Sequence, residues 1–214
     1  MKADALLALS TQSLLIVEDR AERDIVVGVP HHAPAGIDRL PCTTHPDSDE
    51  NAGILGRYLA TVLKCPSIIA CNYRVDVNKY LRSDYTMQIA RWDPRVLVEI
   101  HGHGGTKAKF DIEISSGSVQ DNVYSLRLAD ALTKEFGLLK RFPKLTVSGD
   151  CRKVYFRASN ALTVTDGRWL AYHIELPKAL RTPARAKTGK PPKAGFRFCD
   201  ALARVLQAIH RPEL

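Results

Sequence analysis

Two short β-branched runs in this chain stop at a histidine, and that pattern constrains the fold more than any other. Asp24-Ile25-Val26-Val27-Gly28-Val29-Pro30 leads into His31, and Arg95-Val96-Leu97-Val98-Glu99-Ile100 leads into His101. Runs this short and this apolar read as strands buried on both faces. Ser67 to Cys71, Lys144 to Val147 and Trp169 to Leu176 read as three more. Between them lie stretches with apolar residues at helical spacing: Ala52 to Leu63, Asp121 to Phe136 with Gly137 as its stop, and Gly195 to Ile209. Strands alternating with helices predict one α/β domain over residues 1–214. The expected form is a three-layer sandwich with a mixed, largely parallel central sheet flanked by helices.

At 214 residues the chain is long enough for one domain with a substantial core. No apolar run approaches the roughly 18 residues that span a bilayer. Asp4 and the polar Ser10 to Ser13 do not suit a signal peptide, so a cytoplasmic protein with no membrane partner is expected. The five cysteines are scattered with no Cys-x-x-Cys pair, which argues against both a disulfide framework and a cysteine zinc cluster. The formal charge of +8 is local. Seven basic residues and no acid lie between Pro177 and Cys199, and about residues 182–194 read as an extended Pro/Lys-rich loop. Phe196 and Phe198 are the aromatics there, too few to stack the bases of a nucleic acid.

Ligands collect at the carboxyl ends of strands in open α/β sheets. His31 and His101 sit at two such ends, and Glu175 lies near a third, in Tyr172-His173-Ile174-Glu175-Leu176. Asp47-Ser48-Asp49-Glu50, just ahead of a helix, offers carboxylates that suit a helix cap or a metal. Two imidazoles and one carboxylate leave a fourth position open on tetrahedral zinc, as a hydrolytic site requires. A separate Glu can then take the proton from water. Gly102, Gly104 and Gly105 around His103 give a loop whose backbone can approach a ligand closely.

These segments occur in a telling order: Val29-Pro30-His31, Asp49-Glu50-Asn51-Ala52-Gly53, Arg74-Val75-Asp76-Val77-Asn78-Lys79, Glu99-Ile100-His101-Gly102 and Ile174-Glu175-Leu176-Pro177. Over roughly residues 25–181 the chain resembles the N-formylglutamate amidohydrolases. More distantly it is similar to the zinc carboxypeptidases and the succinylglutamate desuccinylase/aspartoacylase group. The resemblance implies a zinc-exopeptidase-like sheet and one Zn²⁺ per chain held by His31, Glu50 and His101. Asp49 is the alternative to Glu50, and His32 and His103 are alternatives to their neighbours or contacts to substrate. Glu175 looks like the catalytic Glu. Asp76-Val77-Asn78-Lys79 is similar to the family's Asp-x-Asn-Arg signature, with Lys79 in place of the arginine that grips a carboxylate as a fork. Arg74, Asp76, Asn78, Lys79 and Arg82 are thus expected along the binding path of a small anionic substrate. The implied activity is zinc-dependent hydrolysis of an N-acyl amino acid amide, with a zinc carboxypeptidase acting on peptides as the alternative.

Overall fold

The run from Ile25 becomes the centre of a sheet. A computed structural model describes residues 3–36, 48–183 and 189–210. In chain order the elements are α1 (Ala3–Leu9), β1 (Leu14–Glu18), β2 (Ile25–Ala33), β3 (Asp49–Glu50), α2 (Ala52–Leu63) and β4 (Ser67–Cys71). A 3-10 turn (Val77–Lys79), α3 (Asp84–Trp92), β5 (Val96–His103), β6 (Ile112–Ser115) and α4 (Asn122–Leu138) follow. The chain continues through β7 (Val147–Ser148), α5 (Leu162–Thr165), β8 (Leu170–Pro177), α6 (Lys178–Arg181) and α7 (Lys193–Ile209). The sheet order is β1-β4-β2-β5-β8-β6-β7, with β3 paired to β2. Strands β4, β2, β5 and β8 run parallel, while β1 and β6 join antiparallel at either side. The mixed, largely parallel sheet with flanking helices is the expected architecture.

Helices α2, α4 and α7 cover one face, packing Leu55, Leu59, Leu128, Phe198 and Leu202 against Val27, Val98, Ile100 and Ile174. On the other face Tyr85 and Ile89 of α3 and Val164 of α5 cover Val26, Ile68, Leu97 and Ala171. That second face changes character along the strands. Side chains alternate with period two, so Leu97, Glu99, His101 and His103 of β5 share it with Ala171, His173 and Glu175 of β8. Register pairs Leu97 with Ala171, Glu99 with His173 and His101 with Glu175. The apolar half lies under α3 and α5; the carboxyl-terminal half is a buried polar ladder.

Strand β2 reaches the same ladder through an irregularity. Val29 pairs with Ile69 but His32 pairs with Cys71, so β2 carries one extra residue. Pro30 sits in this bulge, where its missing N–H leaves no gap in the ladder. An unbroken alternation from Val29 would turn His31 toward α2. The extra residue turns it onto the polar face instead.

Sequence periodicity missed α1, β1, α3 and β6, which are short or carry little apolar patterning, and it ended α4 too early, at Gly137. The Asp49-Glu50 segment is a strand rather than a helix cap. Asn51 makes the turn into α2 at φ 61°, a left-handed conformation that Asn tolerates better than most residues. Cys65, Cys71, Cys151 and Cys199 are buried free thiols, and Cys42 lies outside the described residues. Among the described residues no helix is long and apolar enough to cross a membrane.

His32 faces away from the ladder, which corrects its expected role as a substrate or metal contact. Its Nδ1 accepts from the Gly53 N–H at 3.1 Å and its Nε2 donates to the Leu7 carbonyl at 2.8 Å, tying α1 and α2 to the sheet. A Cβ on Gly53 would collide with the ring. Burial pushes the His32 pKa down to about 4, the Leu7 carbonyl offsetting only part of that effect. The unfolded chain, with a pKa near 6.5, therefore takes up this proton first as pH falls, and the stability present above pH 6.5 is lost toward pH 4. His32→Gln removes both the bridge and the titration. Measured by denaturant unfolding in the presence of a chelator, its destabilisation should shrink by about 2 kcal/mol between pH 8 and pH 5. A penalty independent of pH would contradict the buried, neutral ring.

Candidate metal centre and active site

His31, Asp49 and His101 meet where the carboxyl ends of β2 and β5 face β3. Asp49 Oδ2 lies 3.4 Å from His31 Nδ1 and 3.4 Å from His101 Nδ1. The imidazole centroids are 5.0 Å apart in an edge arrangement, and one donor atom from each of the three residues lies within 4.8 Å of the other two. All three are buried. At 3.4 Å the contacts are long for charge-assisted hydrogen bonds, which run near 2.7–2.9 Å, and Asp49 Oδ2 has no hydrogen-bond partner of good geometry among the described residues.

These separations fit a cation. A zinc about 2.0 Å from each ligand, with ligands roughly 109° apart, would separate donor atoms by roughly 3.3 Å and imidazole centroids by roughly 5 Å. Two imidazole nitrogens and one carboxylate oxygen are also the donor set of an open, catalytic type of site. Glu50, expected as the ligand, is not in the cluster. Its side chain is partly exposed with Oε2 3.8 Å from Lys178 Nζ, while its carbonyl accepts from Arg181. Consecutive residues of a strand point to opposite sides, so only one carboxylate of Asp49-Glu50 can face the histidines.

Carboxylates stand behind both imidazoles. His31 Nε2 donates to Asp76 Oδ1 at 2.6 Å, which directs Nδ1 toward Asp49. His101 Nε2 faces Glu99 Oε2 at 3.4 Å, and the Tyr85 hydroxyl donates to Glu99 Oε1 at 3.0 Å. Burial disfavours the charged form of His101, but Asp49, Glu99 and Glu175 outweigh it and raise its pKa to about 10. The His31 pKa is raised in the same way by Asp49 and Asp76 against its burial. Burial would raise the Asp49 pKa, yet the His101 and His31 rings hold it well below the usual carboxylate range. The buried acids thus require positive charge here, which protons on the two rings supply and a divalent cation would also supply.

Glu175 lies beside His101 across the β5–β8 pair. Its Oε1 accepts from His173 Nε2 at 3.0 Å, and its buried Oε2 has no hydrogen-bond partner among the described residues. Burial works to raise its pKa, but His173 and His101 lower it, leaving an ionised carboxylate with one bare oxygen.

The other expected contacts divide. Asp76 is engaged by His31 and, through Oδ2, by Lys79 Nζ at 2.7 Å. Both therefore brace His31. His103 donates from Nε2 to the Asp111 carbonyl at 2.9 Å and stacks on Phe156, and its buried Nδ1 has no hydrogen-bond partner among the described residues. Asn78 is buried with Oδ1 lacking a hydrogen-bond partner among the described residues. Arg74 and Arg82 are exposed on the segment that carries Asp76. Asp47 and part of the basic loop, including Arg185 and Lys187, lie outside the described residues.

Two braces escaped the sequence reading. The buried Arg181 donates from Nε to Leu176 O, from Nη1 to Glu50 O and from Nη2 to His103 O. It joins the ends of β3, β5 and β8. Its guanidinium fills the space over Gly102, where a Cβ would collide with it, so that glycine makes room for an arginine and not for a ligand. Asn51 Nδ2 adds hydrogen bonds to the Arg181 and Gly189 carbonyls at 2.9 and 2.8 Å. The second brace is Glu113, fully buried on β6. Oε1 accepts from the Lys109 and Phe110 N–H groups, and Oε2 from those of Tyr155 and Phe156, pinning two loops together next to Glu175.

No family model matches the sequence, and no curated protein matches it. Solved structures do match. A bacteriophage poly-gamma-glutamate hydrolase superposes with a TM-score of 0.60 at 10% identity, covering 94% of this chain and 91% of that one. A gene product from Agrobacterium tumefaciens gives 0.58 at 16% identity, with 92% and 94% covered. N-formylglutamate amidohydrolase from Ralstonia eutropha JMP134 gives 0.51 at 11%, with 91% and 96% covered. At these identities the likeness establishes the fold, shared along nearly the whole of each chain.

Glu113→Gln tests the loop brace. It turns an amide NH₂ toward two N–H donors, so the unfolding free energy should fall by roughly 3 kcal/mol. Amide hydrogens of Tyr155 and Phe156 should exchange faster; unchanged exchange would contradict the brace.

Proposed function

We propose that the protein is a zinc-dependent hydrolase that cleaves the amide bond of an N-acyl amino acid. The observation that carries this reading is the placement of Asp49 Oδ2 at 3.4 Å from two imidazole nitrogens, with the bare carboxylate oxygen of Glu175 alongside. The shared fold with an N-formylglutamate amidohydrolase and a poly-gamma-glutamate hydrolase supports it.

In this reading His31, Asp49 and His101 hold one Zn²⁺. When bound there, the ion supplies Lewis acidity, which lowers the pKa of water and polarises an amide carbonyl. Glu175 Oε2 takes the proton of the attacking water and delivers it to the leaving nitrogen, so one carboxylate serves both halves of the reaction. Asp76 and Glu99 hold the imidazoles in orientation. The exposed guanidinium groups of Arg74 and Arg82 meet the substrate carboxylate as forks, while Lys79 is paired with Asp76. Asn78 lies on the same segment with a spare buried acceptor.

Elemental analysis of the purified protein should find about one zinc per chain, lost in Asp49→Asn and kept in Glu50→Gln. Glu175→Gln should keep the metal and lose about 10³-fold in kcat. The assay compares formyl-, acetyl- and succinyl-amino acids with short peptides. Near-wild-type turnover in Glu175→Gln, or zinc that survives in Asp49→Asn and not in Glu50→Gln, would overturn the assignment.

A further inference from the structure

His173 is a buried ring with no part in the scheme above. It stands on β8 two residues before Glu175, paired in register with Glu99. Its Nε2 lies 3.0 Å from Glu175 Oε1, and its ring lies against His101 with centroids 3.9 Å apart and planes tilted by 36°. Its Nδ1 is buried and has no hydrogen-bond partner among the described residues.

Glu99, His101 and His173 also bring three donor atoms within 4.8 Å of one another, so a second metal site has to be weighed. The geometry disfavours it. Imidazoles bound to one zinc have centroids roughly 5 Å apart, as His31 and His101 do. Centroids at 3.9 Å would need a ligand–metal–ligand angle of roughly 80°, with the rings lying over each other instead of converging on a common point. Glu99 Oε1 is already taken by the Tyr85 hydroxyl.

What the arrangement does provide is a fixed spacing. One edge of His173 holds a carboxylate oxygen of Glu175, and one face lies against the ring of His101. With the proton on Nε2 donated to Oε1, only Oε2 of Glu175 is left bare, so the hydrogen bond selects which oxygen acts. We propose that His173 is the positioning residue of the general base, setting the orientation of Glu175 relative to His101. This inference rests on the hydrolase reading above.

Two substitutions separate its contacts. His173→Phe keeps an aromatic ring against His101 and removes the N–H. His173→Gln places an amide N–H near the position of Nε2 and removes the ring. Three readouts apply: kinetics, zinc content, and crystal structures of the metal-free proteins. His173→Phe should keep its zinc, lose at least about tenfold in kcat with KM within about twofold, and show the Glu175 carboxylate rotated or disordered. His31, Asp49 and His101 should not move. His173→Gln should recover most of kcat and the wild-type Glu175 conformation. Wild-type kcat and an unmoved Glu175 in His173→Phe would overturn the proposal. So would a fall from two zinc ions per chain to one, which would make His173 a ligand. Should His173→Phe fail to fold, His173→Leu is compared with His173→Gln, since both lack the ring and only the Leu variant, which also lacks the N–H, should show the Glu175 carboxylate rotated or disordered and the lower kcat. If the wild-type protein hydrolyses no substrate, the hydrolase reading fails, while the metal-free structures still decide whether His173 sets the orientation of Glu175.

Discussion

Everything in the site depends on a carboxylate that the fold buries between two imidazoles. Asp49 is 2% exposed and reaches its place on a two-residue strand, an extension of the sheet beside β2. Such a strand cannot hold itself. Arg181 donates to the Glu50 carbonyl from one side, and Asn51 ties the same turn to the Arg181 and Gly189 carbonyls. Removing the arginine would release the ends of three strands together, because its three nitrogens bind a carbonyl from each region.

Burying an arginine is costly unless its charge is compensated. Burial lowers the Arg181 pKa, while Asp49, Glu175 and Glu50 act at longer range to raise it. Its hydrogen bonds go to carbonyl oxygens, so the site's acids compensate its charge through space without being drawn out of their own positions. The same division recurs at Glu113, whose charge is spent on four backbone N–H groups. Arg181 and Glu113 are thus both bound by backbone. The side chains of Asp49 and Glu175 keep their bare oxygens facing the site.

The sequence revealed the fold through its apolar strands and helices and revealed the site through His31, His101 and Glu175 at strand ends. The choice between Asp49 and Glu50 was not legible, because the short strand that decides it has no apolar pattern of its own. Nor was the split between His31 and His32, which turns on the bulge at Pro30. Glu99 and His173 could have been read from period two in Val98-Glu99-Ile100-His101 and His173-Ile174-Glu175, since each shares a face with a residue already selected. Arg181 could not. Its position in a basic stretch suggested a solvated side chain, and only the close approach over Gly102 shows where it goes.

The most direct test is the anomalous scattering of crystals soaked in zinc, collected on both sides of the zinc absorption edge. One peak should appear within about 2 Å of His31 Nδ1, Asp49 Oδ2 and His101 Nδ1. A peak on Glu50, a peak between Glu99 and His173, or none near the three donors would contradict the convergence on which the account is built.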